Sequence, residues 1–182
     1  MQESVKRLPI VGVMGSGSEP HTERSRALGA ELARLGVHLL TGGGGGVMRE
    51  VSRAFCETPG RAGLCIGILP AGSEEPPFDP PRGYPHAWVE IPIRTHLSLR
   101  GSRGGEGGSR NAINILSSDA VVALPGGAGT SSEISLAVDL ERPLVAFLAD
   151  RAEIAGLPDS VRVEPLLAEV TEFLRDVLAL SS

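Results

Sequence analysis

Three glycine-rich turns, one arginine and one glutamate carry the chemistry that this chain could perform. Gly15-Ser16-Gly17-Ser18, Gly42-Gly43-Gly44-Gly45-Gly46 and Pro125-Gly126-Gly127-Ala128-Gly129-Thr130 each follow a short apolar run and precede a segment of helical period. Glycine lets backbone N–H groups come close to a ligand, and a helix N-terminus adds unpaired donors and partial positive charge, so such turns bind anions. One of them alone would say no more than a tight strand-to-helix connection. Three together point to a phosphate-bearing small molecule, held where parallel strands end. No Gly-Lys-Ser or Gly-Lys-Thr is present and no dinucleotide fingerprint is complete, which disfavours an ATPase and a dehydrogenase.

Arg110 follows Ser109, the expected N-cap of a helix running to Ser117, and a cation there opposes the helix dipole. A ligand phosphate or the Glu133 carboxylate would compensate it, since the planar guanidinium binds either through two hydrogen bonds. Glu133 has two readings. It could act at the site, or it could close a capping box Thr130-Ser131-Ser132-Glu133, with Thr130 as N-cap. Asn111 could meet the edge of a base or pterin, or cap its own helix, and Asn114 falls on the same helical face as Arg110. Arg94 and His96 could reach the crevice if their loop folds over it. The four histidines form no HxH or HExxH pattern, so no metal site is expected.

Positioning these groups requires strands that stop at the turns and helices that leave them. Apolar runs at residues 9–14, 37–41, 64–69, 88–93, 119–124 and 143–148, with a short edge candidate at 161–163, alternate with helical periods at 22–35, 47–55 and 164–180. The pattern predicts an α/β, Rossmann-like three-layer α/β/α domain with a mostly parallel sheet of about six or seven strands. At 182 residues the whole chain, 1–182, is expected to be one domain. Residues 71–86, dense in proline, and 101–108, with five glycines in eight positions, interrupt the alternation and are expected to be loops or lids.

Composition removes several classes of function. A net charge of −5 without a basic stripe offers little to a nucleic-acid backbone, and no nucleic-acid partner is expected. Only 3% of residues are aromatic, so Ala, Val, Leu and Ile must fill the core. No stretch approaches 18 apolar residues and no signal segment leads the chain, which predicts a cytoplasmic protein with no membrane partner. Cys56 and Cys65 have neither metal-ligand nor scaffold spacing and are expected to be buried thiols. Lys6 is the single lysine and stands ahead of the first strand, leaving nothing to hold pyridoxal phosphate in a site.

Pro125-Gly126-Gly127-Ala128-Gly129-Thr130-Ser131-Ser132-Glu133 resembles the PGGxGTxxE signature of the Lonely Guy (LOG) superfamily, whose members were long labelled lysine decarboxylases. The turn from Gly42 to Gly46 followed by Val47 and Met48 is similar to that superfamily's earlier glycine loop, and Arg110 stands 23 residues before Glu133, as in those enzymes. The resemblance implies two functions. One is nucleoside 5′-monophosphate phosphoribohydrolase activity, an N-glycosidase releasing base and ribose 5-phosphate, with Arg110 and Glu133 catalytic. The other is binding without turnover. The chain departs from the hydrolases in having Arg110-Asn111 for their Arg-Lys pair, and Ile134-Ser135-Leu136-Ala137 where they carry a second acid. Gly12-Val13-Met14-Gly15, Leu39-Leu40-Thr41-Gly42-Gly43 and residues 109–118 look more like the branch of molybdenum cofactor carrier proteins, which bind a pterin bearing a phosphate. That branch makes a carrier-like binding protein the leading expectation, with the molybdenum cofactor or a nucleoside monophosphate as bound ligand and no cofactor required for catalysis. Its binding residues would be Gly15, Ser16, Gly17, Gly42, Gly43, Gly44, Gly45, Gly46, Met48, Arg110, Asn111, Pro125, Gly126, Gly127, Gly129, Thr130 and Glu133. The resemblance also implies a homo-oligomer, dimer or tetramer.

Overall fold

Short runs of Val, Ile, Leu and Ala bounded by glycine or proline form the strands, because β-branched side chains suit a pleated surface buried on both faces. The computed structural model describes residues 7–99, 103 and 109–180; Lys6 and all of the stretch 101–108 except Arg103 lie outside the described residues. The elements run β1 (Ile10–Met14), α1 (Thr22–Leu35), β2 (His38–Thr41), α2 (Gly46–Glu57), β3 (Cys65–Leu69), β4 (Ile91–Arg94), α3 (Asn111–Ser117), β5 (Ala120–Ala123), α4 (Ala128–Asp139), β6 (Leu144–Phe147), β7 (Arg162–Glu164) and α5 (Leu167–Val177). The seven strands make one sheet in the order β4-β3-β2-β1-β5-β6-β7, and every pairing is parallel. This is a Rossmann-like α/β fold.

Alternation along β1 divides the interior into two layers. Val11 and Val13 join Leu28 and Leu32 of α1, Val51 and Phe55 of α2, and Val170 and Leu174 of α5 in one cluster. Met14 turns the other way, to Ile115 of α3 and Ala137 of α4. Chain order reverses at β1, which has β2 on one side and β5 on the other. The crevice at such a switch point opens at the carboxyl ends of the strands, where the first and third glycine turns leave β1 and β5.

Several boundaries differ from the sequence expectation for physical reasons. The fourth strand begins at Ile91 rather than Trp88, because His86 to Val89 form a turn closed by Val89 N–H on the His86 carbonyl at 3.3 Å. Its Pro92 is accommodated because β4 is an edge strand, where a missing donor costs no ladder bond. The last helix does not begin at residue 164: β7 runs to Glu164, and α5 starts at Leu167 after an extended Leu166. Residues 71–86 contain no helix or strand but are tied in place, with Gly72 N–H on the Asp79 carbonyl at 2.8 Å and His86 N–H on the Gly43 carbonyl at 3.0 Å. Cys65 is buried and Cys56 half-buried, both as free thiols. Among the described residues no helix is long and apolar enough to cross a membrane.

Phe55 is fully buried at the contact of α2 with the sheet. Replacing it by Ala removes an aromatic ring and leaves a cavity, for which about 3–5 kcal/mol is the expected loss. A denaturant midpoint lowered with an unchanged slope would show it.

Candidate functional site

The pocket is assembled from four places in the chain. The turn after β1 contributes Gly15, Ser16, Gly17 and Ser18; the start of α4 contributes Gly127, Gly129 and Thr130; α2 contributes Met48; and the segment from Arg110 into α3 contributes Arg110 and Asn111. Glu133, one turn further along α4, is also on the wall, and the cavity encloses about 590 Å³. Among the described residues, Val13, Met14 and Tyr84 complete the lining.

The start of α4 overturns the capping-box reading of Glu133. The N-cap is Gly127, with extended backbone, and the helix begins at Ala128, so Thr130 already lies within the first turn. A glycine N-cap has no side chain to occupy the first donors, and no acidic residue stands in that turn. The helix end therefore presents backbone N–H groups and positive dipole to the cavity. Freed from capping, Glu133 accepts no hydrogen bond among the described residues. It is partly open to the cavity and enclosed by protein elsewhere. Desolvation pushes its pKa up to about 7, against a smaller downward pull from the Arg110 cation.

Arg110 is 4% exposed. It sits immediately before α3 in helical conformation, and its Nη1 donates to Asn111 Oδ1 at 3.0 Å. The N-cap of α3 is Arg110 itself rather than the expected Ser109, whose hydroxyl lies one residue earlier and accepts the Asn111 N–H at 3.1 Å. The guanidinium lies against Gly42, where a Cβ would come within 2.8 Å of Cζ. A buried cation at a helix N-terminus, on the rim of a cavity of backbone donors, leaves the cavity strongly attractive to an anion.

The second glycine turn has a different role from the other two. Gly42, Gly43, Gly44, Gly45 and Gly46 are absent from the cavity wall, as are Pro125 and Gly126. Each of the five instead makes room for a neighbour: Gly42 for Arg110, Gly43 for Leu69, Gly44 for Tyr84 and Met48, Gly45 for the Gly17 carbonyl, and Gly46 for the Ser16 carbonyl. Gly43 and Gly46 also have φ of 73° and 57°, a conformation that L side chains rarely adopt. Val47 N–H, at the start of α2, donates to the Ser16 carbonyl at 2.9 Å, so this helix end holds the first glycine turn. Gly126 is likewise a packing glycine, against Thr130 and Ser16.

Other residues singled out by spacing lie elsewhere. Arg94 pairs with Asp79 at 3.1 Å and His96 meets Phe78 edge-to-face, both away from the cavity. Asn114 is fully buried one turn after Arg110, its N–H on the Arg110 carbonyl at 3.0 Å and neither side-chain amide atom hydrogen-bonded. Among the described residues no cluster of three or more His, Cys, Asp or Glu could hold a metal ion. Sequence reasoning missed Tyr84. Its signal was present: the single tyrosine of an aromatic-poor chain stands in a proline-rich loop, where it does not serve as core filling.

A model of the SLOG cluster4 family matches residues 8–169. The chain belongs to the SLOG cluster4 family. An uncharacterized protein of Archaeoglobus fulgidus is 33% identical over 153 residues, covering 83% of this chain and 87% of that one. The solved structure of the molybdenum cofactor binding protein from the phototrophic bacterium Rippkaea orientalis superposes with a TM-score of 0.72 at 30% identity, covering 96% of this chain and 99% of that one. The molybdenum cofactor carrier protein of Chlamydomonas reinhardtii gives 0.70 at 30% identity, covering 95% and 99%. This SLOG cluster4 chain thus stands where its signature placed it, in the Lonely Guy superfamily beside the molybdenum cofactor carriers.

The raised pKa of Glu133 has a consequence for stability. The folded chain keeps this proton at pH values where the unfolded chain has released it, so the neutral form's contribution is complete below about pH 4.5 and is lost as pH rises through about 7. Glu133→Gln removes that titration. Thermal melts from pH 4.5 to 8 should show the variant gaining on the parent as pH rises; a difference independent of pH would contradict the assignment.

Proposed function

We propose that this chain is a binding protein for a phosphate-bearing pterin or nucleotide, similar in function to the molybdenum cofactor carriers. The carrying observation is the convergence on one cavity of the uncapped α4 N-terminus, the first glycine turn and the buried Arg110. A phosphate would accept from backbone N–H groups of Gly127, Gly129 and Thr130 and meet the Arg110 guanidinium, while Ser16, Gly17 and Met48 border the rest of the ligand. The similarity to a molybdenum cofactor binding protein and a carrier protein at 30% identity supports a pterin as the non-phosphate half. For this reading the protein works in the cytoplasm, as one domain spanning the chain and as a dimer or tetramer. Ile113 and Leu116 on the outer face of α3, 37% and 51% exposed, are apolar surface available to such a contact.

A second reading is favoured by Glu133. A carboxyl whose pKa is pushed to about 7 beside a buried arginine suits general acid–base chemistry near neutral pH. In it the chain is a nucleoside 5′-monophosphate phosphoribohydrolase: Glu133 activates the attacking water or steadies the ribose, and Arg110 holds the phosphate or the departing base.

Calorimetric titration with a phosphorylated pterin and with AMP, together with chromatography of the AMP mixture, separates the two. Tight binding without base release identifies the carrier, whereas base release that disappears in Glu133→Ala identifies the hydrolase. Under both readings Arg110→Ala should weaken phosphate-ligand binding about ten- to a hundred-fold, the range of a lost charge-assisted hydrogen bond. Arg110→Lys should recover only part, because an ammonium cannot reproduce the planar fork. Binding should also take up protons between about pH 7 and 8, since a bound phosphate further disfavours ionised Glu133. Titrations in buffers of different ionisation enthalpy would measure that uptake, and it should vanish in Glu133→Gln.

A further inference from the structure

We infer that Tyr84 and Met48 form a stacking wall for the flat heterocycle of the ligand, so that the cavity selects ring-bearing phosphates over bare sugar phosphates. The inference deepens the binding function proposed above and rests on it. The cavity's volume of about 590 Å³ is far more than a phosphate fills and lies in the range that takes a nucleotide-sized molecule. Its polar determinants, the α4 N-terminus, Arg110, Asn111 and Glu133, belong to the start and first turns of α4 and to the start of α3. Among the described residues, the apolar side chains on the wall apart from Val13 and Met14 of β1 are Tyr84 and Met48.

These two side chains meet over a glycine. A Cβ at Gly44 would stand 2.7 Å from both Cζ and Oη of Tyr84 and 2.8 Å from the Met48 methyl. The same methyl lies 3.8 Å from a Cβ position at Gly17, so the wall adjoins the donor turn that follows β1. A thioether beside an aromatic ring gives a polarizable apolar surface suited to a planar ring. The loop that brings Tyr84 there is anchored on both sides of it. Tyr84 N–H donates to the Pro81 carbonyl at 3.1 Å, and His86 N–H donates to the Gly43 carbonyl at 3.0 Å. His86 is buried, its Nδ1 accepts the Trp88 N–H at 3.2 Å, and desolvation together with the Arg49 cation lowers its pKa to about 4. The anchor thus stays neutral in the physiological range. Tyr84 remains partly exposed on the cavity side. In a chain with 3% aromatic residues, placing the one tyrosine on a cavity wall over a side-chain-free position is what a ring-binding surface requires. A pterin and a purine share the flat, hydrogen-bonding heterocycle that this wall fits.

Calorimetry on the full chain with guanosine 5′-monophosphate, 6-hydroxymethylpterin phosphate and ribose 5-phosphate tests the inference. The parent should bind one or both ring-bearing probes more tightly than the sugar phosphate. Tyr84→Ala should weaken that probe about five- to a hundred-fold, the range of a lost base–aromatic stack, and leave ribose 5-phosphate unchanged. Tyr84→Phe should restore the affinity, whereas Tyr84→Leu, which keeps apolar bulk without a π face, should not. Gly44→Ala should reproduce the selective loss by displacing the ring, and unchanged thermal unfolding would certify each variant as folded. Equal weakening of ring-bearing and ring-free probes, or no weakening, overturns the stacking wall while the phosphate site stands. A parent that binds none of the three overturns both. Which ring-bearing probe responds to Tyr84→Ala assigns the wall to a pterin or to a purine.

Discussion

The backbone from Gly42 to Gly46 can be approached closely along its length, and the neighbouring pieces of the site are set by that approach. The Arg110 guanidinium rests on the first glycine, the Tyr84 phenol and Met48 methyl on the third, and the carbonyls of Gly17 and Ser16 on the fourth and fifth. A methyl group at any of these positions would collide with backbone, with a ring or with a buried cation. Two of the five also need positive φ. One turn therefore registers the β1 loop, the α3 entrance and the loop after β3 against one another, and does so from behind the cavity wall.

Electrostatics in the cavity follows from that packing. Arg110 is buried, and its Nη1 donates to the neutral Asn111 amide oxygen. Burial also holds Glu133 toward its neutral form, so that at neutral pH the pair carries less negative charge than its residue types suggest. The α4 N-terminus adds to the same sign. A cavity built this way complements an anion before any ligand arrives, since no reorganisation is needed to turn donors toward it. The same arrangement serves holding and cutting equally well, which is why the Arg110–Glu133 pair does not by itself separate a carrier from a hydrolase.

The loop after β3 supplies what the superfamily signature does not contain. Anchored through His86 on Gly43 and carrying Tyr84 over Gly44, it adds an aromatic ring to a wall whose other apolar side chains are aliphatic. Glycine turns recognise phosphate, a group common to many metabolites. Discrimination among them falls to the less regular segment, where side chains can change without disturbing the sheet.

The sequence by itself determined the parallel α/β architecture, because strand and helix periods are local patterns and Val, Leu and Ile runs between glycine turns admit few alternatives. The resemblance to the Lonely Guy signature also implied that Arg110 and Glu133 stand together, and both line the cavity. Which glycines face the cavity, and which make room for neighbours, was decided only by the tertiary structure. Gly127 and Gly44 both stand in glycine turns between a strand and a helix, and only contacts from distant parts of the chain tell the cavity-lining glycine, with open space at its Cβ position, from the packing one. The capping-box reading of Glu133 was decided in the same way. Thr130-Ser131-Ser132-Glu133 is a valid capping box in local terms, but the N-cap of α4 is Gly127, three residues before Thr130, and the glutamate is left on the cavity wall with its pKa raised to about 7. Tyr84 reached the site on a loop without periodicity, held by the hydrogen bond from His86 N–H to the carbonyl of Gly43, 43 residues earlier in the chain, and no local pattern encodes that meeting.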